Sequence, residues 1–327
     1  MPTPEEVFQS VGGVPFVQAG MDPQDPANVI WNFGVAPSTP LVRCDAGPSF
    51  YEVFPNLQGR WDGKSNVNHH SAAKKVLGKD LPAHNQPTGT CGGRAGSRGS
   101  ELLQLVLIAN GKRAKFHYVS HAWIYYLARK EYNMLGGGDG VASGAVPPVM
   151  AKYGLLNREE SNDLEYAGKN SDKLAGKWGN GNISKEEYNS FSAMAADNLI
   201  TAMVRCKSAS ECADALASGG ILIQSDMQGY SMNRDNDGFC QAQGQWAHYQ
   251  VRSGIVVRPS GRKGFAYDQS WGDTTPDGPL LEGYPGNCFG VDWDVQDSLC
   301  RSGVVHAVFG LDLWDMEKGK IDIDWVW

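Results

Sequence analysis

Two short segments far apart in the chain constrain its fold more than anything else in it. The first is His84-Asn85-Gln86-Pro87-Thr88-Gly89-Thr90-Cys91-Gly92-Gly93; the second is Trp246-Ala247-His248, with Asp268-Gln269-Ser270-Trp271-Gly272 after it. In order they carry an amide, a thiol, an imidazole and a further amide that runs into Ser-Trp-Gly. A thiol attacks a carbonyl at neutral pH as thiolate, a state that an imidazolium and a helix N-terminus both favour, and the imidazole then hands a proton to the leaving amine. Cys91 and His248 suit these two roles. The imidazole also needs a polar group to hold its tautomer, and the oxyanion on the attacked carbonyl needs a donor. Gln269 or its neighbour Asp268 serves the first need and Gln86 the second. Alternation along a strand sends the two side chains at 268 and 269 to opposite faces, which favours Gln269. The pattern is that of a thiol-dependent acyl-transfer site.

On these residues the chain resembles the papain-like cysteine peptidases. In that family a Gln shortly before the nucleophile donates into the oxyanion hole, the Cys opens the central helix, and a much later His is positioned by an Asn-Ser-Trp-Gly strand. Here Gln86 precedes Gly89-Thr90-Cys91, His248 follows 157 residues on, and Gln269-Ser270-Trp271-Gly272 stands where Asn-Ser-Trp-Gly would be. The usual interval is about 130 to 150 residues, so an insertion is implied. The stretch from Val119-Ser120-His121-Ala122-Trp123 through Ala151-Lys152-Tyr153-Gly154 resembles the second-helix region, and 208–223 the helix and strand that lead into the His-bearing sheet. Narrower still is a likeness to the papain-like proteins encoded in tailed-phage genomes, which share the long Trp-Ala-His to Ser-Trp-Gly spacing and a tail resembling Cys288-Phe289-Gly290-Val291-Asp292. In the family's other register Cys91 would be a structural cysteine and Arg94 would stand at the nucleophile position, which leaves an inert protein.

The resemblance implies an α+β, two-lobed fold in which a helical lobe carries Cys91 and an antiparallel sheet or barrel carries His248. It implies a cysteine peptidase acting on polypeptide, with Cys91, His248, Gln269 and Gln86 as site residues and no cofactor. The alternative is a papain-like body reused as a structural component of a viral particle. The other histidines do not join the pattern. His69 and His70 read as a solvated loop, His84 and His121 lack partners in the motif, His117 reads as structural, and His306, which falls after Ser-Trp-Gly, as a strand residue.

Composition narrows the partners. With 327 residues, 41% hydrophobic, the chain can bury a substantial core. A net charge of −7 and no basic run interleaved with aromatics argue against a nucleic-acid partner. No apolar run approaches membrane length, and the polar, acidic start at 1–10 predicts no signal peptide and synthesis in a cytoplasm. Cys206 with Cys212 and Cys288 with Cys300 lack zinc-site spacing, so no metal is expected.

Three regions follow. Residues 1–80, rich in Pro, Gly, Asp and Asn, read as an extended arm for docking, with other virion subunits as candidate partners; 81–314 is the papain-like domain; 315–327 is a Trp-rich tail. Within the domain, helices are predicted at 100–110, capped by Ser100, and at 115–132, 186–205 and 208–217. A polar surface loop spans 157–182. Strands are predicted at 221–224, 247–257, 264–269 and 303–311.

Overall fold

The computed structural model describes residues 13–17, 29–33, 48–136, 138–158, 172–272, 276–302 and 304–311. The expected C-terminal tail lies outside these residues. An antiparallel ribbon of β1 (Gly13–Val17) and β2 (Val29–Phe33) rests on the His-bearing strand. From Pro48 the chain is built into the body, although the composition of 1–80 suggests an arm. Phe50 in α1 (Phe50–Val53) is fully buried, β3 (Val67–Asn68) pairs with the sheet, and α2 (His70–Leu77) buries Ala72 and Ala73.

The helical lobe follows: α3 (Cys91–Ala109), α4 (His121–Glu131), α5 (Val146–Tyr153), α6 (Lys173–Gly179) and α7 (Lys185–Ala195). Every residue of α3 from Cys91 to Val106 is buried, including Arg94, Arg98 and Glu101. Such charges tolerate burial only when paired. Arg94 binds Asp172, Arg98 binds Asp268, and Glu101 accepts from the Val119 N–H at 3.0 Å. The helix starts at Cys91, well before the predicted 100–110, because its early glycines are poor helix formers in isolation but necessary in place. A Cβ at Gly92 would run into the Val141 side chain, and one at Gly93 into the His121 carbonyl of α4.

The sheet is wholly antiparallel. Its strands are β4 (Ile200–Arg205), β5 (Ile221–Tyr230), β6 (Ala242–Val257), β7 (Lys263–Asp268), β8 (Cys288–Asp292) and β9 (Val304–Leu311), in the order β4-β9-β5-β6-β7-β8 with β3 also on β6. Period-two alternation, shifted in β6 by an irregularity between Arg252 and Gly254, sorts the core. Ile221, Ile223, Tyr249 and Val251 face α3, while Leu222, Ile255, Phe265 and Tyr267 face the opposite layer, where α8 (Ala209–Ala217) and α9 (Trp293–Ser302) pack. Both faces are covered, so β5 opens as a continuous apolar run.

Two predicted helices change. The one expected at 186–205 ends at Ala195, and its Val/Ile/Thr-containing tail becomes β4, paired with β9. The one expected at 115–132 begins at His121, because the Ser120 hydroxyl accepts from the Trp123 N–H and sets the start. His69 and His70 are not solvated; both are buried, and His70 opens α2. Among the described residues no helix is long and apolar enough to cross a membrane.

Candidate active site

Cys91 is the first residue of a 19-residue helix, where the aligned peptide dipoles place partial positive charge. The backbone of Tyr249, Gly92 and Cys91 itself favours its thiolate. A Cβ on Gly92 would stand 3.4 Å from the Tyr249 ring, which puts the head of α3 against β6 at the residue next to His248. Burial nevertheless pushes the Cys91 thiol up to about 12, with the Asp139 carboxylate adding to the rise. His248 responds to burial in the opposite sense: its imidazole falls to about 3, helped by the charge of Arg252. Burial thus favours the neutral form of both groups.

Alternation turns Tyr249 toward the helices, and His248 faces Trp271, whose ring stacks on the imidazole with centroids 4.6 Å apart and planes 21° apart. Neither ring nitrogen of His248 has a hydrogen-bond partner among the described residues. The Gln269 amide is folded onto its own turn: Nε2 donates to the Gly272 carbonyl at 3.3 Å and Oε1 accepts from the Trp271 N–H. Asp268 points elsewhere, as alternation requires, and is held by Arg98, His70 and Asn287.

Gln86 joins the same site from the other side. Its N–H donates to the Ser270 carbonyl at 2.9 Å, its Oε1 accepts from the Ser270 hydroxyl, and its Nε2 donates to the Thr88 carbonyl at 3.1 Å. Asn85 bridges Trp271 and the Gly272 N–H donates to the His84 carbonyl, so the two motif segments lie antiparallel. Ser270 is thus a clamp on Gln86, and Trp271 a cover for His248.

The motif reading misses several residues that shape this site. The Tyr249 hydroxyl donates to the Ala142 carbonyl at 2.5 Å and accepts from the Ala145 N–H at 3.0 Å. Ser225 Oγ, paired with Tyr249 across β5 and β6, meets Ser143 Oγ at 2.8 Å and the Gly144 N–H at 3.0 Å. These four bonds tie the sheet to the helical lobe beside the nucleophile. Cys91 is 1% and His248 3% exposed behind them. Asp172 and His121 form a second buried group behind the loop before Cys91. Nothing in the spacing marks them, since the partners come from separate stretches of chain.

One cluster has metal-ligand composition. His70 Nε2 lies 3.2 Å from Asp268 Oδ2 and 3.5 Å from Cys288 Sγ. The Arg98 guanidinium sits 3.2 Å from the same carboxylate oxygen and already neutralises it, while burial and the Asp268 charge push the Cys288 thiol well above its ordinary value. These side chains therefore hold one another by charge and by the His70–Cys288 contact, and staple α2 to β7 and β8. Cys212 and Cys300 pair as free thiols with their sulfurs 3.4 Å apart.

No family model and no curated protein matches the chain. Solved structures do. Xylellain, a cysteine protease from Xylella fastidiosa, superposes with a TM-score of 0.54 at 14% identity, over 85% of this chain and 96% of that one. Procathepsin B from Trypanosoma congolense gives 0.51 at 9% identity, over 84% of each chain. The mixed helix and antiparallel-sheet fold is that of papain-like cysteine proteases.

Proposed function

We propose that this chain is a cysteine peptidase that hydrolyses polypeptide through Cys91 and His248. The observation that carries the reading is Cys91 at the head of α3, packed on β6 at Tyr249, one residue from His248, within a papain-like fold. Cys91 acts as nucleophile, His248 as general base and then acid, and Gln86 with the Cys91 N–H receives the oxyanion. Gln269 orients the imidazole after its amide leaves the Gly272 carbonyl, a loss of about 1 kcal/mol. Opening of the lobes admits water and substrate, which relieves the burial that keeps thiol and imidazole neutral and lets the proton pass from Cys91 to His248.

The burial and neutrality of that pair favour a second reading, a catalytically silent body reused as a component of a virus particle of tailed-phage type, attached to other subunits through the residues that precede Pro48. A peptidyl epoxide probe separates the two. The peptidase reading expects a single adduct on Cys91, lost in Cys91→Ala and slowed in His248→Ala and Gln269→Ala. A protein that gains no adduct at Cys91 while cleaving no peptide library favours the silent component.

A further inference from the structure

Asp172 falls in the polar stretch expected to be a surface loop, yet its side chain is 3% exposed and gathers four partners. Thr88 Oγ1 and Thr90 Oγ1 each donate to Oδ2 at 2.8 Å. Arg94 Nη2 donates to Oδ1 at 2.7 Å, and His121 Nε2 lies 3.1 Å from the same oxygen. His121 is met in turn at Nδ1 by Arg158 at 3.3 Å. We propose that Asp172 is a positioning residue for the oxyanion-binding loop, holding Thr88-Gly89-Thr90 so that the Gln86 amide and the Cys91 N–H keep a fixed separation. This rests on the peptidase reading above.

The connection is continuous. Asp172 fixes the Thr88 hydroxyl, and the Thr88 carbonyl accepts from Gln86 Nε2 at 3.1 Å, so the carboxylate sets the direction of the donor amide through one residue. The other end of Gln86 is pinned by Ser270. Gly89, in the middle of the loop, donates its N–H to Asp139 at 3.2 Å, a second carboxylate reaching the same turn.

Thr90 supplies an independent sign. It is the N-cap residue of α3, where a threonine hydroxyl ordinarily accepts from the first-turn N–H groups and contributes about 1 kcal/mol. Here it makes no such bond and turns to Asp172 instead. The diversion leaves the helix head uncovered by its own cap, as an oxyanion site requires. A buried carboxylate this near a developing oxyanion would oppose it unless neutralised. The Arg94 guanidinium does that, and with the His121 hydrogen bond it holds Asp172 well below the usual carboxylate range against the upward push of burial.

The test compares Asp172→Asn with wild type in two reactions of Cys91. Peptide-amide hydrolysis passes through an oxyanion, whereas alkylation by iodoacetamide is a displacement at saturated carbon and forms none. The variant is expected to lose about 10- to 100-fold in kcat with KM within about twofold, the scale of a misplacement near 1 Å, and to keep the wild-type alkylation rate. Unchanged kcat overturns the proposal, as does an equal fall in kcat and alkylation, which marks a merely structural residue. If Asp172→Asn does not fold, Thr90→Val and Thr88→Val remove the same bonds from the loop side and carry the same expectations. A wild-type protein that cleaves nothing, and whose Cys91 reacts no faster than Cys240, removes the peptidase reading and this proposal with it. A cleaving wild type with an unimpaired variant removes only the proposal.

Discussion

One hydroxyl supplies two of the four bonds that tie the sheet to the helical lobe. Tyr249 is fixed through its phenol, which donates to the Ala142 carbonyl and accepts from the Ala145 N–H. Tyr249→Phe keeps the ring and deletes two of the four bonds across the lobes, each worth about 1 kcal/mol net. The expected result is a Cys91 labelling rate several-fold above wild type, with a melting temperature only slightly lower. A rate equal to or below wild type would mean that the phenol does not restrain the lobes. At this scale the meeting of the motif segments, Ser270 on Gln86 and Trp271 on His248, was legible because chemistry restricts their types: few side chains replace a thiol, an imidazole or the Ser-Trp-Gly turn. Tyr249, Ser225 and Asp172 were not, because their roles depend on who faces them across the fold, and a tyrosine in a strand is ordinary core.

Between elements, α3 owes its position to residues that weaken it alone. Gly93 sits against the His121 carbonyl, a backbone atom that cannot swing aside. Gly93→Ala should raise intrinsic helix propensity by about 1 kcal/mol yet lower the stability of the protein by about 1–3 kcal/mol through overpacking, read as a lower urea midpoint with unchanged m-value. A stabilised variant would show that α3 and α4 separate easily. The same glycines hid the first half of α3 from periodicity, which found only the Leu-rich half. The β4 segment was hidden differently, since Ile200 to Arg205 continues the helix in pattern and is claimed by pairing with β9. His69 and His70 passed for loop because polarity alone does not reveal a buried partner such as Asp268.

For the whole molecule, buried imidazoles tie stability to pH. Burial lowers His69 to about 4, His248 to about 3 and His306 to about 4, and drives His84 well below its ordinary value. The unfolded chain protonates these groups near pH 6.5 while the native one does not. Their contribution is therefore complete above pH 6.5 and is lost as pH falls toward the folded values, at up to about 1.4 kcal/mol per pH unit for each. Asp226, raised by burial, works in the opposite sense. Urea titrations at pH 7, 6 and 5 should show a steep progressive loss, and a flat profile across that window would contradict the burial of the four rings. The α+β class was legible from the order of helices and strands, and the two-lobed plan from the resemblance carried by the motifs. The strand order was not, because the placement of the last strand depends on contacts distant in sequence.

That placement governs timing during synthesis. β9 inserts between β4 and β5, although it is the last of the described strands to leave a ribosome. Until Val304–Leu311 emerges, β4 and β5 face a one-strand gap and present unpaired edges, the kind that recruits foreign strands. The sheet that carries His248 stays incomplete for nearly the whole of translation, so on the peptidase reading a nascent chain holds Cys91 against an unfinished wall. Products that stop short of Val304 are expected in the aggregated fraction, with no trace of hydrolysis.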